Sequence, residues 1–141
     1  NKLNKLNMNI CTYVSIVNMK PRTYAISIDH NTLTYNHLLR SNSNVVLQSL
    51  SQKNTSLVKI LGKKSGYNFD KEKYLVENNL VTNWKNYSVL KETSFLIELK
   101  DPKKIYEMSD HCLFVFTIES YKNINDDFLK FNNLIEKRII L

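Results

Sequence analysis

Ser109-Asp110-His111-Cys112-Leu113-Phe114-Val115-Phe116-Thr117-Ile118, continued by Glu119-Ser120-Tyr121, is the stretch that decides the fold of this chain. From His111 to Tyr121, Leu113, Val115 and Thr117 fall on one face of a strand, opposite Cys112, Phe114, Phe116 and Ile118. A strand that is apolar on both faces must be covered on both sides, as in a barrel wall packed beneath a helix or against another subunit. The polar turn Met108-Ser109-Asp110-His111 directly precedes it and puts an imidazole at the barrel rim. His111 there either meets a ligand or faces solvent in an ordinary turn fixed by an Asx-type bond of Asp110.

Outward from this strand, Ser94 to about Tyr106 predicts a second long strand. Asn9 to Met19 alternates roughly, with Ile10, Val14 and Ile16 opposite Cys11, Tyr13 and Ser15, and Thr12 interrupting the apolar face. Lys20-Pro21-Arg22 turns the chain into Thr23 to Asp29, where Tyr24, Ile26 and Ile28 share a face, so these two runs are expected to pair antiparallel. Asn31 or Thr32 caps a short helix to about Ser41, with Leu38 and Leu39 expected inward. Asn44 to Leu50 reads as a strand, and Ser51 to Leu61 as a helix stopped by Gly62. Asp70 to Glu77 adds a helical turn, and the tail from Asp126 to Leu141 reads as a short helix followed by a terminal strand. The sum is a mainly β domain with short helices between strands. An antiparallel barrel is its simplest closure and a sandwich the alternative.

The 141 residues suit a single domain, 1–141, and 43% hydrophobic with 11% aromatic residues excludes a disordered chain. No apolar run is long enough to span a bilayer as a helix, no secretory signal pattern opens the chain, and Cys11 and Cys112 form no CxxC pair. A soluble, cytoplasmic protein without membrane contact is the expectation. The polar opening Asn1 to Leu6 reads as the end of a turn whose preceding strand lies upstream. A formal charge of +7 suits nucleic acid, an acidic partner or an anionic small ligand such as a nucleotide. The lysines are scattered, and no nucleic-acid-binding signature accompanies them, which makes nucleic acid the weakest of the three.

Both glycines sit in Gly62-Lys63-Lys64-Ser65-Gly66-Tyr67-Asn68-Phe69-Asp70-Lys71. Close backbone approach, two cations and a hydroxyl suit a phosphate, whereas a helix cap at Gly62 followed by a solvated turn is the plainer use. Asp29-His30-Asn31-Thr32-Leu33-Thr34 runs from a strand into a helix, where its amides and hydroxyls either cradle a phosphate or simply cap the helix. His30, His37 and His111 are the only histidines. They fit no zinc spacing, no Gly-x-Ser-x-Gly elbow surrounds any serine, and a metal site or a hydrolase is not expected.

Taken in order, these pieces resemble the flavin reductase-like family of FMN-binding split barrels, flavoredoxins included. Thr12-Tyr13-Val14-Ser15 matches a Thr-x-x-Ser strand, Pro21 the following turn, and Ser27 through Thr34 the segment opening a helix. Asn44 through Leu50 resembles a Phe-Val-Val-Asn-Val-Leu strand, Gly62 through Lys71 the Gly-x-x-Ser-Gly-x-x-x-Asp-Lys loop, and Ser109 through Val115 the Gly-Asp-His-x-Leu-Phe-Val strand. The similarity covers about residues 8 to 122. It departs at Ser109, in place of glycine, and at Gln48, in place of asparagine, and the family's first strand has no counterpart. The resemblance implies a six-stranded antiparallel Greek-key split barrel that forms a homodimer and holds FMN, with FAD possible, near the dimer interface. It further implies that Thr12, Tyr13 and Ser15 approach the flavin ring and ribityl chain, that His30, Thr34, Lys63, Lys64 and Ser65 surround the phosphate, and that His111 orients NAD(P)H. Three functions compete: hydride transfer from NAD(P)H to flavin, serving a partner monooxygenase or another electron acceptor; an FMN-bearing electron carrier without nicotinamide turnover; and a basic nucleic-acid-binding barrel.

Overall fold

The alternation around Phe114 becomes the centre of the molecule in a computed structural model that describes residues 5–41 and 43–140. Seven strands form: β1 (Val14–Met19), β2 (Arg22–Asp29), β3 (Val45–Ser49), β4 (Val81–Trp84), β5 (Tyr87–Leu90), β6 (Phe95–Glu107) and β7 (His111–Asn123). Among the described residues, four α-helices, α1 (Leu33–Arg40), α2 (Leu57–Lys63), α3 (Lys71–Glu77) and α4 (Phe131–Glu136), and a short 3-10 helix (Gln52–Asn54) lie between and after them. The main sheet runs β1-β2-β7-β6-β3, every pair antiparallel, and β4 and β5 form a separate hairpin.

β7 lies in the middle of the sheet, between β2 and β6. Cys112, Phe114 and Phe116 are buried there with Ile26 and Ile28 of β2, Leu99 of β6 and Leu38 of α1. Its other face, with Leu113 and Val115, is half-buried within the chain. A second core joins Met8, Leu57, Leu61, Leu75 and Leu90, so that α2, α3 and β5 pack on the segment preceding β1. No helix among the described residues is long and apolar enough to cross a membrane.

Several expectations change. β1 begins at Val14 rather than Asn9, because Met8 and Ile10 pack toward α2 and α3 instead of joining the ladder. Gly62 lies inside α2 and not at its cap, and no glycine has positive φ. The terminal glycine of the expected helix is instead a packing glycine, for a Cβ there would meet Ile10 Cγ1 at 3.2 Å. Leu39 is exposed, since α1 turns Leu33 and Leu38 inward and leaves the next position in solvent. Thr32 is the cap of α1, accepting from the Tyr35 amide. The hairpin β4–β5 was not foreseen, and α4 forms without a terminal strand among the described residues. The opening residues Asn1 to Asn4, where an incoming turn was expected, lie outside the described residues.

A buried carboxylate and the Gln48 side chain, whose Oε1 accepts from the Leu90 amide at 2.7 Å, tie the hairpin to the main sheet. Glu98 Oε2 accepts from Lys85 Nζ at 2.6 Å and Ser120 Oγ at 2.7 Å, and Oε1 accepts from Tyr87 OH at 2.8 Å. These donors, Lys85 foremost and Ser120 next, hold the Glu98 carboxyl at about 2 against an ordinary 4.5. The ionised form therefore stabilises the fold above pH 4.5, and that stabilisation is lost as pH falls from 4.5 toward 2. Glu98→Gln is expected to cost about 1.5–3 kcal/mol at neutral pH, the range for hydrogen bonds to a charged group. In thermal melts followed across pH, the gap between parent and variant should close as pH drops through that window. A gap independent of pH would show that the ionised carboxylate is not what ties the hairpin down.

Candidate functional site

Strand register brings together histidines far apart in sequence. Asp29, the last residue of β2, pairs with His111, the first of β7, so His30 and His111 emerge at the same end of the sheet. The His30 amide donates to the Asp110 carbonyl at 3.0 Å. His111 Nδ1 lies 2.8 Å from Asp110 Oδ1, and this bond is the main reason the Asp110 carboxyl titrates below its ordinary value. An acceptor-only carboxylate at Nδ1 places the hydrogen there and leaves Nε2 of the neutral ring as an acceptor. The Tyr13 ring meets the His111 ring edge-on, with centroids 5.5 Å apart at 72°.

A second layer backs the rim. The His30 ring lies 4.9 Å from that of Tyr35, whose hydroxyl donates to Glu107 Oε1 at 2.9 Å, while Lys104 pairs with the same carboxylate. The Lys104 bond first and the Tyr35 bond next hold the Glu107 carboxyl below its ordinary value, and the bond to Glu107 raises Tyr35. His30 Nε2 is buried and has no hydrogen-bond partner. Tyr35, Lys104 and Glu107 were not foreseen. Tyr35 and Glu107 stand 72 positions apart, and no local pattern links them.

The glycine loop approaches α1 through Asn7. Asn7 Nδ2 donates to Thr34 Oγ1 at 2.9 Å, and a Cβ at Gly66 would fall 2.5 Å from Asn7 Oδ1 and 3.0 Å from Leu33 Cδ2. Ser65 shapes the turn, its hydroxyl accepting from the Tyr67 amide and its carbonyl from those of Asn68 and Phe69. Lys63 ends α2 exposed, and Lys64 Nζ rests 4.4 Å from the Phe69 ring centroid. Asp70 caps α3, and Lys71 is buried. Both ends of the Asp-Lys pair thus serve the framework.

The expected site residues fall into distinct groups. Tyr13, His30 and His111 meet at the rim, and Thr34 joins the glycine loop that carries Lys63, Lys64 and Ser65. Thr12 and Thr34 line a cavity of about 770 Å³. Ser15 is exposed on β1 and donates to the Ile16 carbonyl at 3.2 Å, within its own strand. Burial raises the Cys11 thiol to about 11, so it stays protonated at neutral pH and is a poor nucleophile. No cluster able to hold a metal ion occurs among the described residues.

The family model for the flavin reductase like domain matches residues 4–134, and the chain belongs to that family. No curated protein matches by sequence. Among solved structures, it is similar to the FMN-binding protein from Thermus thermophilus with bound p-hydroxybenzaldehyde, at 19% identity and TM-score 0.71, covering 84% of this chain and 65% of that one. Flavoredoxin from Methanosarcina acetivorans gives 18% and 0.72, covering 85% and 62%. The styrene monooxygenase flavin reductase from Pseudomonas putida S12 gives 12% and 0.64, covering 80% and 67%. The chain therefore spans somewhat less than two thirds of the first two structures. These likenesses show the fold, which is the mainly β, antiparallel split barrel with short helices.

Gly66 is the position where the loop comes nearest to α1, and it tests that contact. Gly66→Ala is expected to push Asn7 off Thr34 and to cost about 1–3 kcal/mol, as overpacking does. A thermal melt unchanged from the parent would show that the loop is free to move away from α1.

Proposed function

We propose that this member of the flavin reductase-like family binds FMN and transfers a hydride to it from NAD(P)H. The observation that carries the reading is the rim, where Tyr13, His30 and His111 converge and the buried Nε2 of His30 has no partner. An unpartnered imidazole nitrogen just before the N-terminus of α1 fits a phosphate oxygen, and Thr34, Lys63, Lys64 and Ser65 would complete its surroundings. Thr12, Tyr13 and Ser15 would flank the ring and ribityl chain. FMN supplies the hydride-accepting ring, and FAD can present the same ring. His111, its Nδ1 tied to Asp110, would orient the nicotinamide through Nε2.

A second copy is part of this reading. β1 is an edge strand with Ile16, Val17 and Met19 each more than half exposed, and Tyr13 of the rim is 65% exposed on the same segment. Covering that surface with a homodimer partner removes an apolar edge from water and encloses the rim. Ile16→Lys combined with Met19→Lys is expected to convert a sedimenting dimer to monomer. Dimers that persist in this variant would place the interface elsewhere.

The acceptor of the electrons is a partner monooxygenase or another oxidant. The likeness to a styrene monooxygenase flavin reductase supports the former. A carrier role without nicotinamide turnover is the second reading, favoured by the likeness to a flavoredoxin and by Ser109 in the turn before β7. Titration of cofactor-free protein with FMN, followed by flavin fluorescence, is expected to show saturable binding that weakens at least tenfold in Lys63→Ala/Lys64→Ala. His111→Ala should retain FMN binding and raise KM for NADH or NADPH. Absence of FMN binding by the folded protein would remove the whole reading, whereas binding without NAD(P)H oxidation would leave the carrier.

A further inference from the structure

Two irregularities in β6 turn a lysine and a tyrosine onto the face of the sheet where His111 lies. From Lys100 to Lys103, β6 advances three positions while β7 retreats two, from Thr117 to Val115, and from Lys104 to Tyr106 it advances two against one. The first shift contains Asp101 at φ 54°, a left-handed backbone that a residue with a side chain adopts only under strain. Strict alternation from Lys100 would turn Lys103 to the α1 side, and the first bulge reverses this. Alternation from Lys103 would then turn Tyr106 inward, and the second bulge brings it out. Lys103 thus stands opposite Val115 and Tyr106 opposite Leu113, while Lys104 and Glu107 turn toward Tyr35 of α1. At about 3.3 Å per residue, Leu113 and Val115 lie about 7 and 13 Å along β7 from His111.

The charges on β6 single out one cation. Lys100 is paired with Glu119 and has Asp101 beside it, and Lys104 is paired with Glu107. Lys103 is exposed and forms no ion pair among the described residues. Tyr106 is exposed as well, and the half-buried Leu113 and Val115 lie across from the two as an apolar floor. β2 and β7 separate this strip from the edge strand β1, so a second copy seated on β1 leaves it open.

An uncommitted ammonium, an exposed ring and an apolar floor, leading away from the imidazole given to the nicotinamide, suit the adenosine end of a dinucleotide. A purine stacks on an exposed aromatic ring, and lysine receives phosphate as a point charge. NADPH carries a phosphate on the adenosine ribose where NADH has a hydroxyl, so the ammonium meets a charge in the first and none in the second. Resting on the flavin reading above, we propose that Lys103 selects NADPH over NADH by receiving the adenosine 2′-phosphate, with Tyr106 stacking on the adenine.

The probes are 2′,5′-ADP, which carries that phosphate, and 5′-AMP, which lacks it, titrated calorimetrically at low ionic strength. The protein is expected to bind 2′,5′-ADP about tenfold more tightly than 5′-AMP, the low end for a charge-assisted bond. Lys103→Gln should abolish the difference and Lys103→Arg keep it, whereas Tyr106→Ala should weaken both fragments alike. Both positions are exposed, so these variants keep the parent fold. In turnover with FMN, Lys103→Gln should raise KM for NADPH about tenfold at unchanged kcat and leave KM for NADH as it was. Fragment discrimination needs neither flavin nor turnover. A protein that binds no FMN but loses its fragment preference in Lys103→Gln therefore sinks the flavin reading and leaves the phosphate contact standing. Equal affinity for the two fragments, a preference that survives Lys103→Gln, or FMN affinity lost in Lys103→Gln, which would give this lysine to the flavin phosphate, would each overturn the proposal.

Discussion

The N-terminal segment is held in place by one buried ammonium, and the arrangement of both the rim and the cavity depends on it. Lys71 is 5% exposed, and its Nζ donates to the Met8 and Leu61 carbonyls at 2.7 Å each. Burial lowers its pKa, which is the cost of keeping a cation there, and two charge-assisted bonds of about 1.5–3 kcal/mol each offset that cost. The Leu61 carbonyl belongs to the last turn of α2, where helix carbonyls lack intrahelical partners, so the ammonium caps one helix from the first residue of another. The Met8 carbonyl belongs to irregular backbone that no ladder satisfies. With Met8 fixed, Asn7 reaches Thr34 on one side, and Ile10 reaches the bare backbone of Gly62 on the other. Thr12 and Tyr13 follow within a few residues and inherit their positions from that clamp.

The second constraint is register. β2 and β7 pair without interruption from Thr23 opposite Thr117 to Asp29 opposite His111. The same apolar residues that bury the sheet therefore also set where His30 and His111 emerge. A slip of one residue would turn Phe114 and Phe116 to the other face, at a loss of several kcal/mol of burial. Accuracy at the rim is thus enforced by the core, which tolerates no alternative pairing. β6 opposite β7 is looser, with three register shifts, and it is the bent far end of β6 that carries Lys104 and Glu107 toward α1.

Features with a local physical cause were readable in the sequence. The strands β2, β3, β6 and β7 and the Pro21 turn each follow from a few neighbouring residues and are where they were expected, and of the two expected caps, Asn31 or Thr32, the helix uses Thr32. Gly62 misled because a glycine after a helical run signals a cap only when φ must be positive, whereas here the missing side chain makes room for Ile10 from fifty-two positions away. The hairpin β4–β5 carries short strands of mixed polarity and is held by Glu98 and Gln48, partners outside its own sequence. At the site, the glycine loop, the Asp-His turn and the helix-opening segment could be picked out locally. Tyr35, Glu107, Lys104 and the buried role of Lys71 arise only from tertiary contact.

The distribution of charge over these pieces bears on chemistry at the rim. Two carboxylates, Asp110 and Glu107, stand close to where an anion would bind, and unpaired they would repel it. Neither is unpaired: Asp110 is bound by His111, and Glu107 is shared by Lys104 and Tyr35. Each carboxylate is spent in orienting an aromatic or imidazole ring, so its charge is locally compensated while the scattered excess of lysine acts at longer range. The same pairing keeps both groups ionised well into acid, as their lowered pKa values indicate. The Tyr35–Glu107 bond therefore keeps its ionised acceptor across the neutral range. What remains able to respond to a ligand is the unpartnered Nε2 of His30, backed by Tyr35 and fixed through its own amide to Asp110.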